Sequence, residues 1–363
     1  MKNAQTWISA ASVLLGGLVR LLSAAGVFVC MVCVLGCEEN PSRKEEPVPA
    51  EGKESSLVGS LEKLRSAWDS EKAPEWPIVE LLAVLCEKAY LAPEEAEKAF
   101  HTLGLEQVRP VTAESMVGYV VWAADVAVVV FRGTDDQADW LVNLDCRTAE
   151  TPHGTIHKGF YEAYHATPNP QQSLRSQILA RLKEGAPKYL WITGHSLGGA
   201  LALVCAYDLI ENEKFPVNGV LTFGQPMVVQ PQLGEYLDQL LVRRYTYFVN
   251  GKDIVPRVPP TYVHCGARIW FHDGQIERFA PLRSPSRIAP LKGLPQEDAL
   301  VPMSPEEFEQ LKAALRKADR ISRGTSLKGN LPWLRDHAIE NYRERVHTAL
   351  DAEASAESDS QMK

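Results

Sequence analysis

The stretch Gly194-His195-Ser196-Leu197-Gly198-Gly199 separates two apolar segments, Tyr189 to Thr193 and Leu197 to Ile210. The first is typical of a buried strand, and the second, rich in Ala and Leu, is typical of a buried helix. Glycines on both sides of Ser196 leave room for the chain to pass close to itself, as a nucleophile elbow requires. This pattern predicts an exposed Ser196 hydroxyl at the carboxyl edge of a sheet, beside the free N–H groups that begin the helix.

Segments with strand and helix patterns alternate on both sides of this turn. The further strands are expected at Tyr119 to Trp122, Val126 to Phe131, Val220 to Phe223 and Tyr245 to Val249. The further helices are expected around Leu81 to Leu85, from Ala92-Pro93-Glu94-Glu95 onward, at Pro170 to Lys183, and from the capping box Ser304-Pro305-Glu306-Glu307 to about Ile321. Strands that alternate with helices predict an α/β fold with a mostly parallel central sheet flanked by helices.

The composition is that of an ordinary globular protein, with 363 residues of which 45% are hydrophobic and 23% charged. This balance excludes a disordered chain, a collagen and a coiled coil. The net charge is −8, and the first 36 residues carry two cations and no acid, which leaves −10 on the remainder. An acidic body repels a phosphate backbone, so we expect no nucleic-acid partner.

The N-terminal residues have the pattern of a secretion signal. Leu21 to Gly36 is a run of sixteen uncharged, mostly apolar residues behind a segment whose only charges are two cations. The run is shorter than the roughly 20 residues of a spanning helix, and it leads into Val34-Leu35-Gly36-Cys37, which resembles a bacterial lipobox. Signals of that kind are cleaved before the cysteine, so Cys37 is the expected lipid anchor. The alternative is an uncleaved membrane anchor, because Trp7 to Val19 is also apolar. Both interpretations place the body in the bacterial cell envelope, outside the cytoplasm.

We expect four regions along the chain: a lipoprotein-type signal peptide at 1–36, a flexible tether at 37–56, one α/β domain at 57–349 and a disordered tail at 350–363. Glu38 to Ser56 contains nine charged residues, three prolines and a single valine, which is too little apolar surface to fold. The tail is similarly polar. The four cysteines of the body are widely spaced, so we expect buried free thiols rather than disulfides. They are Cys86, Cys146, Cys205 and Cys265.

Four further stretches accompany the turn at Ser196 in a fixed order. They are Val130-Phe131-Arg132-Gly133-Thr134, His157-Lys158-Gly159-Phe160, Thr222-Phe223-Gly224-Gln225-Pro226 and Asp253-Ile254-Val255-Pro256. On these five motifs, across about Gly118 to Pro260, the chain resembles the class 3 lipases. The resemblance implies an α/β-hydrolase fold and catalysis by a serine. The sequence contains no His-Glu-x-x-His motif, no clustered metal ligands and no phosphate-binding Gly-Lys-Ser/Thr loop, so we expect no cofactor and no metal.

The resemblance also implies a role for each of four residues. Ser196 is the expected nucleophile, Asp253 the expected acid, and Thr134 with the backbone N–H of Leu197 the expected oxyanion hole. The roles fit general chemistry, because an oxyanion needs two donors and this fold carries its triad in the order Ser, Asp, His. From the residues alone, Asp253 behind Asn-Gly is more typical of a turn, and Thr134 is equally well explained as a turn residue.

The general base is expected among the four histidines that follow Asp253. We predict His337, because Trp333 to Tyr342 resembles the His-to-Tyr stretch that ends many bacterial members of the family. His337 lies 84 residues beyond Asp253, so an insertion around Pro281 to Gly329 must loop out. His272 is the alternative base. The other histidines have structural interpretations, namely His264 in a strand, His347 on a solvated helix face and His195 as support for the turn.

The resemblance implies a serine hydrolase that cleaves carboxylic esters of lipids, as a triacylglycerol lipase, phospholipase or carboxylesterase. Asp135 to Thr155, named the cover segment below, is expected to lie over the site. Its apolar residues suit acyl chains but are equally able to pack on the sheet; they are Trp140, Leu141, Val142 and Leu144. One alternative function is an inactive lipid-binding envelope lipoprotein of the same fold, and another is acyl transfer to an acceptor other than water. The expected partners are a lipid or ester substrate and, through Cys37, a membrane.

Overall fold

The computed structural model describes residues 57, 59–165, 169–279, 301–321 and 332–361. The expected signal peptide and tether, including Cys37, lie outside the described residues. Much of the expected insertion, at 280–300 and 322–331, also lies outside them.

An eight-stranded sheet organises the described part of the chain, in the order β1-β2-β3-β6-β7-β8-β9-β10. The strands are β1 (Gln107–Ala113), β2 (Met116–Ala123), β3 (Val126–Phe131), β6 (Tyr189–His195), β7 (Gly219–Phe223), β8 (Tyr245–Asn250), β9 (Ala267–His272) and β10 (Gln275–Phe279). Pairing is parallel from β3 through β9 and antiparallel at both edges. A separate hairpin pairs β4 (Thr148–Thr151) with β5 (Gly154–His157). All four further strands expected from the sequence are therefore present, and the central sheet is mostly parallel.

Helices cover both faces of this sheet. They are α1 (Trp76–Lys88), α2 (Pro93–Thr102), α3 (Gln137–Asn143), α4 (Lys158–His165), α5 (Leu174–Gly185), α6 (Leu197–Glu211), α7 (Pro231–Leu240), α8 (Pro305–Ile321), α9 (Pro332–His337) and α10 (Ile339–Gln361). Within the described ranges, no helix combines the length and the apolar character needed to cross a bilayer.

The alternation of side chains along β3 separates two apolar clusters. Val129 packs in the cluster that contains residues of α4, α5 and α6, whereas Val128 and Val130 pack in the cluster that contains residues of α1 and α10. All six residues of β3 are buried. A parallel strand with helices on both faces needs such a continuous apolar sequence, because neither face meets water.

The capping box expected at Ser304 is present and begins α8. The Glu307 N–H donates to Ser304 Oγ at 3.1 Å, and the Ser304 N–H donates to the Glu307 carboxylate at 2.7 Å. The helix expected at Pro170 to Lys183 begins later, because Ser173 caps it by accepting from the Ser176 N–H. Pro170–Gln172 forms a separate 3-10 turn.

Two expectations about the body are wrong. The tail expected to be disordered at 350–363 is helical as far as Gln361, because α10 is anchored by buried Tyr342 and Val346 and continues into Ala and Glu residues with high helix propensity. The four cysteines of the body are free thiols as expected, but Cys146 is exposed rather than buried. It lies in the loop between α3 and β4.

Candidate active site

Ser196 sits in a strained turn between β6 and α6. Its backbone has φ 58° and ψ −129°, a left-handed conformation that is rare for a residue with a side chain. A Cβ on Gly194 would come within 2.2 Å of the Gly198 carbonyl oxygen, and a Cβ on Gly198 would come within 2.3 Å of the Phe131 carbonyl oxygen. Only glycine fits at either position, so the sequence pattern around Ser196 follows directly from the tightness of the turn.

The Ser196 side chain is not exposed, contrary to the expectation from the elbow pattern. Its exposed fraction is 0%. The loop that follows β3 lies against it, since a Cβ on Gly133 would come within 3.1 Å of the Ser196 Cβ. Leu141 and Leu144 of the cover segment are buried in the same apolar cluster as Leu197. The elbow is therefore closed to solvent in this structure.

His337 bridges Ser196 and Asp253. Its Nε2 lies 2.8 Å from Ser196 Oγ, and its Nδ1 lies 2.8 Å from Asp253 Oδ2. All three side chains are buried. An ionised carboxylate only accepts, so Nδ1–H donates to Asp253 and Nε2 is left to accept the Ser196 hydroxyl proton. The predicted placement of His337 between the other two residues is confirmed by these contacts.

Hydrogen bonds between α9 and the end of β8 bring His337 to Asp253. The Asn250 side-chain amide donates to the Asp336 carbonyl oxygen at 2.9 Å, and the Lys252 N–H donates to the Asp336 carboxylate at 2.9 Å. Asp336 directly precedes His337 in the chain. Asp253 and His337, 84 residues apart in the chain, are thus brought together by contacts of Asp336 with Asn250 and Lys252.

Tyr342, the last residue of the stretch that resembles the family's His-to-Tyr segment, is a further member of the site. Its hydroxyl donates to Asp253 Oδ2 at 2.6 Å and accepts from the Asn250 N–H at 3.1 Å. Burial, followed by the charge of Asp253, raises the pKa of Tyr342 well above its usual value, so the hydroxyl keeps its proton. The Val255 N–H donates to the other carboxylate oxygen at 2.9 Å. The sequence pointed to such a partner in one respect: a buried carboxylate needs several hydrogen-bond donors, and a tyrosine hydroxyl is one.

The other histidines after Asp253 lie elsewhere. His272, at the end of β9, is 3.2 Å from the Asp273 carboxylate and stacks on Trp270. His264 lies in the loop before β9, not in a strand, and its Nε2–H donates to the Pro256 carbonyl oxygen at 2.7 Å. Burial lowers the pKa of His264 to about 4. The alternative base His272 therefore makes a surface pair and takes no part in the contacts of Ser196.

His347 is also placed differently from the expectation of a solvated face. Its Nδ1 lies 2.7 Å from the Glu80 carboxylate, which joins α10 to α1. Glu80 itself is buried. The side chain thus helps to pack two helices together because it supplies a partner to a buried carboxylate.

The expected oxyanion donors flank Ser196 on two chain segments. Leu197 is the first residue of α6, so its N–H has no carbonyl partner within the helix. Thr134 follows Gly133 in the loop that lies against Ser196, and its carbonyl oxygen accepts from the Gln137 side chain at 3.1 Å. In the described part of the chain, no three His, Cys, Asp or Glu side chains are grouped so as to hold a metal ion.

Comparison with known proteins gives a family match. Residues 128–263 match the model of the family described as Lipase (class 3). A lipase of Rhizomucor miehei is 35% identical over 158 residues, which are 41% of this chain and 42% of the relative. A triacylglycerol lipase of Arabidopsis thaliana is 30% identical over 179 residues, 38% of this chain and 34% of the relative. A phospholipase A1 of Oryza sativa is 30% identical over 171 residues, 41% of this chain and 43% of the relative.

Among solved structures, the native Rhizomucor miehei lipase propeptide complex has 26% identity and a TM-score of 0.48. The match covers 58% of this chain and 74% of that chain. The chain spans less than half of the length of the three curated relatives above. The matched residues include β3, the turn at Ser196 and Asp253. Over residues 128–263, which include the turn at Ser196, this chain is therefore similar to the class 3 lipases.

Proposed function

We propose that the protein is a serine hydrolase that cleaves carboxylic esters of lipids. The observation that carries the proposal is the buried chain of hydrogen bonds from Ser196 through His337 to Asp253 at a strained strand-to-helix turn. This arrangement is the one by which a serine hydroxyl becomes a nucleophile at neutral pH. The names of the relatives, lipase and phospholipase, support an ester of a lipid as the substrate.

The reaction follows from the directions of the hydrogen bonds. Ser196 Oγ attacks the ester carbonyl while His337 Nε2 takes its proton, and the Leu197 N–H and Thr134 bind the oxyanion. The protonated His337 then gives that proton to the departing alcohol, which leaves an acyl group on Ser196. Water activated by His337 cleaves the acyl-enzyme and restores the serine. Asp253 keeps the His337 ring in the required tautomer, and Tyr342 fixes the carboxylate.

An apolar cover supports acyl chains as the recognised part of the substrate. Trp140 of α3 stacks on Phe160 at 6.4 Å, and α8 packs against α3. Phe308 and Leu315 of α8 are buried in the same cluster as Leu141. Because Ser196 has no exposed surface, an ester reaches it only after the closed arrangement opens. The apolar residues uncovered in that step suit a lipid surface better than water.

Turnover of esters by the purified protein tests this proposal. We expect hydrolysis of both short-chain and long-chain esters, with a steep rise in rate for long-chain esters above their solubility limit, where a lipid surface is present. The matched measurement uses the same esters below that limit. Absence of hydrolysis of every ester, together with no reaction of Ser196 with a fluorophosphonate, would instead favour the inactive lipid-binding lipoprotein.

We also propose that Cys37 anchors the protein, by a lipid, to a membrane of the bacterial cell envelope outside the cytoplasm. The support is the order of charged, apolar and small residues that leads to Cys37, followed by a polar tether. Such an anchor would hold the hydrolase beside a lipid surface. Two lipid-attachment signals are generally needed for stable membrane binding, and the chains attached at a lipobox cysteine would supply them.

Replacing Cys37 by serine is expected to release the protein from the membrane fraction or to leave the signal peptide uncut, because the thiol accepts the lipid. Cys146→Ser is the matched control, since it removes an exposed thiol outside the signal. Mass spectrometry of the mature N-terminus is the measurement. An intact Met1 on the wild-type protein would contradict the anchor and support an uncleaved helix.

A further inference from the structure

A chain of polar contacts runs behind the triad from the loop after β3 to His337. The Tyr90 hydroxyl, in the turn after α1, lies 2.8 Å from His195 Nδ1. His195 Nε2 lies 2.7 Å from the His337 carbonyl oxygen. The backbone of Gly133 lies against the Tyr90 hydroxyl, since a Cβ on Gly133 would come within 2.2 Å of the Tyr90 oxygen. The contacts therefore join four segments that are distant in the sequence, those of Tyr90, Gly133, His195 and His337.

The directions of these hydrogen bonds are determined by one atom. The His337 carbonyl oxygen only accepts, so His195 Nε2–H donates to it. In a neutral imidazole Nδ1 then accepts, which makes the Tyr90 O–H its donor. Burial, followed by the charge of His337, lowers the pKa of His195 well below its usual value, which keeps the ring neutral. Each donor in the chain thus has one acceptor.

We propose that Tyr90 and His195 are positioning residues. They fix the position of the loop at Gly133 and Thr134, which carries an expected oxyanion donor, relative to His337. The inference rests on the proposed function and adds to it. Thr134 follows Gly133, and His195 precedes Ser196. The polar contacts of Tyr90 and His195 therefore fix the backbone next to the expected oxyanion donor Thr134, the nucleophile Ser196 and the base His337. Because His195 is 1% exposed, water has no access to replace a lost partner. A displacement of these groups relative to one another raises the barrier of the chemical step more than it weakens substrate binding.

The test replaces Tyr90 by phenylalanine, which keeps the ring beside His195 and removes the hydroxyl. We expect kcat to fall about 10- to 100-fold while KM changes by less than about twofold. Tyr236→Phe is the matched control, because it removes a tyrosine hydroxyl that bonds to Glu211 beside another histidine, His153. We expect Tyr236→Phe to keep kcat within about twofold of wild type. A folded Tyr90→Phe variant with wild-type kcat would overturn the positioning role.

A second pair of measurements separates this role from simple packing. His195→Gln is expected to lower kcat similarly, and the double variant with Tyr90→Phe to be no more than about threefold worse than the poorer single variant, because both changes break one chain. Fully multiplicative effects would contradict a single chain. Nitrogen NMR of His195 reports the Tyr90 contact without any turnover, and an unchanged Nδ1 signal in Tyr90→Phe would also overturn the link. Failure of the wild type to cleave esters would reject the proposed function and is thus distinguishable from loss of the link.

Discussion

Replacing Ser196 by alanine is expected to reduce ester hydrolysis by about 10³- to 10⁶-fold, as for a member of a catalytic triad. Only the hydroxyl group is lost, and its oxygen, Oγ, lies 2.8 Å from His337 Nε2. The turn is expected to survive, because alanine is no larger than serine at this left-handed position and the neighbouring glycines are unchanged. The measurement is kcat/KM together with thermal unfolding of both proteins.

Ser173→Ala is the matched control for this change. Ser173 is also buried, but its hydroxyl caps α5 by accepting from the Ser176 N–H at 3.1 Å. Its loss is expected to cost about 1 kcal/mol of stability and to leave turnover unchanged. Wild-type turnover in the Ser196→Ala protein would reject the hydrolase mechanism proposed above.

Replacing His337 by alanine is expected to match the loss in Ser196→Ala, because the triad acts as a unit. Among the described residues, His337 is the side chain that bonds to Ser196 Oγ, so its removal leaves the Ser196 proton without an acceptor and Asp253 without the ring that it orients. The double variant with Ser196→Ala is expected to be scarcely worse than either single variant. The measurement is again kcat/KM, with labelling by a fluorophosphonate as a second readout of the reactivity of Ser196.

His272→Ala is the control for this second prediction. His272 pairs with Asp273 and stacks on Trp270, so its loss is expected to leave kcat within about twofold of wild type. Retention of most activity by His337→Ala would remove His337 from the mechanism, while the roles of Ser196 and Asp253 could stand. A large loss in His272→Ala would show that the base is the alternative histidine.

Local sequence was sufficient for five of the eight strands of the described sheet and for the turn at Ser196, whereas β1, β9 and β10 were not predicted. The apolar run of β3 predicts a strand buried on both faces, and the glycines around Ser196 predict a turn in which two backbone segments nearly touch. These features depend on residues within a few positions of one another, where periodicity and backbone sterics act directly. The capping box at Ser304 could be predicted for the same reason, because both of its hydrogen bonds join residues that are three positions apart.

The tertiary structure decided how the groups around Ser196 are brought together. His337 and His272 both lie near a carboxylate in sequence, and only the resemblance of Trp333 to Tyr342 to the family's His-to-Tyr stretch favoured His337 over His272. Contacts of Asp336 with Asn250 and Lys252 help to bring the first of them to Asp253. Tyr342 reaches the same carboxylate across 89 residues, and Tyr90 reaches His195 across 105.

Loop closure explains why such contacts are not evident in the sequence. Closing a loop costs only about 0.6 kcal/mol more for each doubling of its length, so an 84-residue separation neither favours nor forbids the contact between His337 and Asp253. The closed state of the elbow has the same origin, because the loop at Gly133 reaches Ser196 from another strand. The sequence by itself determined the central strands and the turn that carries Ser196, through short-range sterics and apolar patterning. The tertiary structure decided the contacts of His337, the hydrogen bonds that support them and the burial of Ser196, because these depend on packing between segments that are far apart in the chain.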